Sequence, residues 1–191
     1  VLVLIKRNQS SRLVTVLEFP PIRLLGVISY GFYVYHYLNN IVYFVRRGGG
    51  KKIIFASSGG TIYGVPDYLP LDELHTTNPI CSYGITKLAI EKYLRLFTLN
   101  SQIDAVALRI SNPYGPHHNI KNRQGLINTI CHNISNNQTL TIWGDGSVIR
   151  DYIYIDDLGD ALVSALNETG KFLVANISSG VGFSVNTIIQ K

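Results

Sequence analysis

The chain has 191 residues, 46% of them hydrophobic and 15% charged, with a formal net charge of +5; this bounds it as one domain with a real core, or a piece of one, and gives no sign of disorder or internal repeat. Its basic-rich part is confined to Lys6, Arg7, Arg12, Arg46, Arg47, Lys51 and Lys52, weak support for an anionic ligand and too sparse, without interleaved stacking aromatics, for a nucleic-acid partner. Cys81 and Cys131 stand 50 residues apart with no CxxC and no His at metal-ligand spacing, so reduced, cytosolic thiols are the default and no metal site is expected.

In chain order, Val1-Leu2-Val3-Leu4-Ile5 loosely resembles a strand and has no cleavage site after it. The run from Leu24 to Val45 carries no Asp, Glu, Lys or Arg and is about long enough to cross a bilayer. Against a span, His36, Asn39 and Asn40 fall inside it, Gly26 and Gly31 interrupt it, and its tyrosines fill the middle instead of the ends. A buried strand-to-helix segment is therefore preferred to a membrane one. The triplets starting at Asn133, Asn137, Asn167 and Asn176 match the glycosylation pattern, as chance produces in an Asn- and Ser-rich chain without a signal peptide.

Beyond residue 50, short β-branched runs alternate with helix-period segments, which reads as α/β with a parallel sheet. Lys52 to Ala56 is a strand running into Ser57-Ser58-Gly59-Gly60, and Asp67 to Pro79 is loop. Ser82 to Asn100 suits an amphipathic helix with Leu88, Ile90, Tyr93, Leu94 and Phe97 inward and Glu91, Lys92 and Arg95 on the wet face. Asp104 to Ile110 is the next strand and 111–116 a turn-rich run. Residues 124–136 and 156–167 read as helical, 140–143, 152–155 and 172–177 as extended, and the last eight residues begin another helix. Asp156 and Asp157 could pair as acid and base, but capping the helix that follows, where carboxylates favour its positive N-terminus, is preferred. Ligands on such sheets bind at the carboxyl ends of the strands, which here carry Ser57-Ser58, the Tyr83 helix and Ser111-Asn112.

Tyr83 and Lys87 are four residues apart, so on a helix they stack one turn apart on the same face. A tyrosine is nearly all phenol at neutral pH, with pKa of about 10. A nearby cation favours the phenolate, which could then take a proton from a substrate hydroxyl.

Four blocks in order, KKIIFASSGGTIYG (51–64), the Tyr83/Lys87 pair, LRISNPYGP (108–116) and WGDGSVIRDYIYIDDL (143–158), resemble the NAD-dependent epimerase/dehydratase family of extended short-chain dehydrogenases/reductases, its nucleotide-sugar 4-epimerases in particular. The resemblance runs from about Ile41 to Lys191. It implies a partial Rossmann-like, doubly wound parallel sheet, with NAD as cofactor and a nucleotide sugar, a UDP-sugar foremost, as substrate. It also implies that Tyr83 is the base for the sugar 4-hydroxyl while C4 gives up its hydride, and that Lys87 both lowers the Tyr83 pKa and binds the nicotinamide ribose. By the same resemblance Ser57, Tyr83, Lys87 and Ser111 are cofactor-binding, and Thr61, Asn112, Trp143 and Arg150 substrate-binding. A homodimer is compatible with it, and a cytoplasmic location is expected. Read without the resemblance, Asn112 is an Asn-Pro turn residue and Arg150 a strand-end charge.

Two features depart from the family pattern. Where many 4-epimerases have a third serine after the strand, this chain has Gly59, so the catalytic hydroxyl must come from Ser58 or Thr61, with Thr61 preferred. The Thr-Asp-Glu run of the 4,6-dehydratases is also missing there, which favours an epimerase. Second, the GxxGxxG phosphate loop does not occur, since Gly26 and Gly31 are the only glycines before Gly48. The expectation is thus an atypical segment over 1–40 and a partial family domain over 41–191, with the C-terminal substrate lobe cut off. An inactive remnant, or another nucleotide-sugar dehydratase or reductase, is the alternative.

Overall fold

The computed structural model describes residues 52–100, 103–116 and 125–190; the readings over residues 1–40 and 24–45 lie outside the described residues. Lys52–Ser58 forms β1, in which Ile53, Phe55 and Ser57 are buried and alternate with less buried neighbours. The period of two puts those three on one face. Asp104–Ile110 forms β2 and Phe172–Ile177 forms β5. The three pair in parallel in the order β1-β2-β5, with Ser57 opposite Arg109 and Arg109 opposite Asn176.

Ser82–Asn100 is α1. Its Lys87, Glu91, Leu94 and Thr98 are each no more than 9% exposed, and their spacing of four, three and four residues draws one stripe along the helix. Leu94 packs with Ile53, Phe55, Ile103, Ala105 and Ala107 on one face of the sheet, joined by Ile90, Tyr93 and Phe97. Glu91 is a correction to the expected pattern: at 3% exposure it lies in the buried stripe, whereas Lys92 and Arg95 are exposed as expected. Its burial follows from an arginine in β2, described below.

The opposite face is covered by α3 (Ile155–Asn167), whose Leu162 and Ala165 meet Val106 and Leu108 of β2. With helices on both faces, β2 is buried along Ala105 to Arg109, as the apolar run Ala105 to Leu108 requires. Lys52 donates to the carbonyls of Ala165 (3.1 Å), Leu166 (2.9 Å) and Glu168, placing a cation on carbonyls that a helix end leaves unpaired. Asp156 and Asp157 lie exposed in the first turn of α3, and the cap position itself is Tyr154, without a side-chain cap bond.

A second sheet joins β3 (Asn112–Tyr114), β4 (Ile149–Tyr154) and β6 (Gly182–Ser184); β3 and β4 run parallel, β4 and β6 antiparallel. The turn-rich reading of 111–116 therefore gives way to a short strand, held by its pairing with β4. Residues 140–143, expected as extended, take up no strand. The helix α2 is Leu126–Ser135, and the last described helix, α4, is Val185–Gln190. The architecture is mixed α/β around a parallel sheet, as the alternation of runs implies.

Candidate active site at the strand ends

The carboxyl end of β1, the loop after it and the first turns of α1 form one cluster. Gly59 continues the ladder past β1, its N–H donating to the Ile110 carbonyl at 2.9 Å. A Cβ there would stand 3.0 Å from the Arg109 carbonyl oxygen, so glycine eases a close approach that any side chain would make tight. Gly84, in the first turn of α1, meets the loop in the same way. A Cβ on it would come within 2.4 Å of the Thr61 carbonyl oxygen and 2.9 Å of Pro79 Cβ. Thr61 is thereby held against the turn that carries Tyr83.

The Tyr83 side chain is 55% exposed. Lys87 lies beneath it, with Nζ 5.4 Å from the centre of the Tyr83 ring and 4.9 Å from that of Phe55. Its ammonium donates to the Ala56 carbonyl at 2.7 Å. Burial lowers the Lys87 pKa from its ordinary value, because the charged form is desolvated. The Tyr83 phenol, expected to be lowered by Lys87, is instead raised, by burial first and by Cys81 second. The ammonium spends one of its three donors on the Ala56 carbonyl, and among the described residues no hydrogen bond links it to the phenol. Without a further positive charge above the ring, Tyr83 is a phenol at neutral pH.

The remaining residues divide. Thr61 Oγ1 and Ser111 Oγ are buried without a hydrogen-bond partner among the described residues, and the Ser111 backbone is fixed by its N–H donating to the Ile177 carbonyl at 2.9 Å. Asn128 Nδ2 and the Tyr152 hydroxyl are likewise buried without a partner among the described residues; an orphaned hydroxyl at the strand ends is a place where a ligand atom could bond. Ser58 is half-buried. Ser57 turns away from the crevice and donates to Glu91 Oε1 at 2.5 Å. Asn112 Nδ2 donates to the Asp151 carbonyl at 2.7 Å, which ties β3 to β4 and leaves its side-chain oxygen as the group for a ligand. Arg150 is exposed on β4 and Trp143 is 92% exposed.

A buried network went unread in the sequence. Arg109 donates to Glu91 through Nε (3.2 Å) and Nη2 (2.8 Å), and through Nη1 to the Tyr63 hydroxyl (2.9 Å). That hydroxyl donates to Asn176 Oδ1 at 2.6 Å, and Asn176 Nδ2 reaches the Leu71 carbonyl at 3.1 Å. Burial alone would lower the Arg109 guanidinium, but the bonds to Glu91 and Tyr63 outweigh it and hold the group above its ordinary value. The signal in the sequence was a charge inside the otherwise apolar strand Asp104–Ile110, which demands a partner. Among the described residues no set of His, Cys, Asp and Glu could hold a metal ion, and no helix is long and apolar enough to cross a membrane.

The family model for the NAD dependent epimerase/dehydratase family matches residues 34–177. An Escherichia coli dTDP-4-dehydro-6-deoxyglucose reductase is 39% identical over 153 residues, covering 79% of this chain and 48% of its own length. The crystal structure of Thermotoga maritima UDP-glucose 4-epimerase with UDP-glucose superposes with a TM-score of 0.73 at 35% identity, over 76% of this chain and 47% of that one. Thermus thermophilus UDP-glucose 4-epimerase in complex with NAD gives a TM-score of 0.69 at 28% identity, over 76% and 48%. The chain spans about half the length of the curated relatives it matches. Matched over most of its length, with the parallel sheet and the Tyr83 helix in place, the chain belongs to the NAD dependent epimerase/dehydratase family.

Proposed function

We propose that this chain carries the catalytic tyrosine-lysine pair of a nucleotide-sugar epimerase acting at C4 of a UDP-sugar. The observation that carries the reading is Lys87, buried under the Tyr83 ring and anchored to the Ala56 carbonyl at the end of β1. Burying an ammonium is costly, and an exposed amphipathic helix would have no reason to do it. Tyr83, more than half exposed above it, is the group left open to a substrate.

The residues fit one end of NAD. Ser111 offers an unpaired hydroxyl at the end of β2 and Lys87 a donor for ribose hydroxyls, while the sequence contains no glycine-rich loop for the pyrophosphate. When bound, NAD supplies the acceptor for the hydride leaving the sugar carbon, and its ring charge favours phenolate. Tyr83 then takes the proton of the sugar hydroxyl, Thr61 Oγ1 holds the sugar oxygen, and Lys87 keeps its charge below the ring. Asn112 Oδ1 and Arg150 are the groups for the rest of the substrate, the guanidinium suiting diphosphate oxygens. Trp143 offers an exposed ring to the same ligand. The free, exposed thiols Cys81 and Cys131 support a reducing, cytoplasmic setting, and the exposed Ile85 and Leu99 of α1 support association with a second copy.

The 39% identity to a reductase favours, as a second reading, net reduction of a keto sugar. Incubation with NAD and UDP-glucose separates the two: an epimerase interconverts C4 isomers without net change in NAD absorbance. Net oxidation of reduced nicotinamide by a 4-keto sugar, with no interconversion, would sink the epimerase reading.

A further inference from the structure

Tyr83, Lys87 and Glu91 follow one another at intervals of four residues on α1. Two of them hold the helix to successive residues of β1: Lys87 donates to the Ala56 carbonyl, and Glu91 accepts from the Ser57 hydroxyl. Glu91 also takes both arms of the Arg109 fork, so its carboxylate receives three bonds from two strands. Ser57, Arg109 and Asn176 form one row across β1, β2 and β5. Through Tyr63 and Asn176 the same network reaches the Leu71 carbonyl, in the loop that leads to Tyr83.

A buried ion pair is weak support for stability, since an apolar pair of equal volume would pack as well. What the apolar pair would lack is direction. Leu94 and Thr98 further along the stripe allow a helix to slide or rotate slightly, whereas a bidentate carboxylate-guanidinium contact with a third donor does not.

We propose that Glu91 is a positioning residue for the Tyr83-Lys87 pair: its carboxylate, gripped by Arg109 and Ser57, fixes where α1 stands over the ends of β1 and β2, and with it the distance from Lys87 Nζ to the Tyr83 ring. The functional meaning rests on Tyr83 being the base; the geometry does not. Glu91→Asp keeps the charge and withdraws the carboxylate by one methylene. Ser57→Ala removes one donor and keeps the ion pair.

Both variants are read on the whole 191-residue chain by competitive acetylation of lysines with mass spectrometry, and by ultraviolet titration of Tyr83 against a Tyr83→Phe blank. In Glu91→Asp, with circular dichroism and a single unfolding transition retained, Lys87 acetylation rises at least about threefold relative to Lys92. The Tyr83 midpoint moves by at least about half a pH unit. Ser57→Ala changes both in the same direction by a smaller, measurable amount. Either readout staying at its wild-type value in the folded variants overturns the proposal, and if Glu91→Asp does not fold, Ser57→Ala alone decides. Neither readout needs turnover, so a Tyr83→Phe chain that kept full activity would remove the epimerase reading and leave this test intact.

Discussion

Gly84 decides how close α1 comes to the loop after β1. Replacing it with Ala brings up to about 1 kcal/mol of helix propensity. The new Cβ meets the Thr61 carbonyl oxygen at 2.4 Å, and relieving such a backbone clash costs about 1–3 kcal/mol. The clash wins, so Gly84→Ala is expected to lower the urea midpoint of unfolding without changing the slope. Lys87 gives a second test, through pH. Its folded pKa is lowered by burial, so between that lowered value and the unfolded value of about 10.4 the unfolded chain binds more protons and stability rises with pH. Below the window the penalty is present in full. Lys87→Met removes the group, and the difference in unfolding free energy between wild type and Lys87→Met should grow in favour of wild type as pH climbs through that window. A constant difference would show that Lys87 is not desolvated. The pairing of Tyr83 with Lys87 was legible because helical spacing is local. The raised Tyr83 pKa was not, since it comes from burial first and from Cys81 second, and burial depends on how the loop and helix pack in three dimensions.

At the scale of elements, α1 is held by its stripe. Leu94 is 1% exposed between β1 and β2, and Leu94→Ala is expected to destabilise the fold by about 2–5 kcal/mol, measured by denaturant unfolding. Leu96→Ala, at an exposed position on the same helix, should change stability by about 0.5 kcal/mol or less. The stripe was readable from Leu94 and its apolar neighbours, but Glu91 was assigned to water because a carboxylate on a helix normally faces it. What reversed this was Arg109, 18 residues on and in a different element. The bounds of β2 and β5 followed from apolar runs ended by polar or turn residues, whereas β1 runs on through Ser57 and Ser58, two polar residues kept in the strand by their pairing with Arg109 and Ile110. β3 and β6, three residues each, carry no periodicity and exist only through their pairing with β4.

For the whole molecule, the order β1-β2-β5 puts β2 at the centre with α1 and α3 on its two faces. Amide exchange should therefore be slowest in Ala105 to Leu108, since those bonds open only with the core. Comparable protection in β4, whose Ile149 and Arg150 are exposed, would contradict this layering. The carboxyl ends of β1 and β2 bring Thr61, Tyr83, Lys87 and Ser111 to one end of the sheet, where the proposed chemistry is assembled. The most direct measurement is the interconversion of UDP-glucose and UDP-galactose by the chain saturated with NAD, followed by NMR of the sugar signals, beside Tyr83→Phe. Wild type should interconvert them, and Tyr83→Phe, with its fold intact, should be slower by about 10²–10⁴-fold, the usual worth of a positioned acid-base group. Equal rates for the two, or no interconversion by wild type under saturating NAD, would contradict the assignment of Tyr83 as the base of an epimerase.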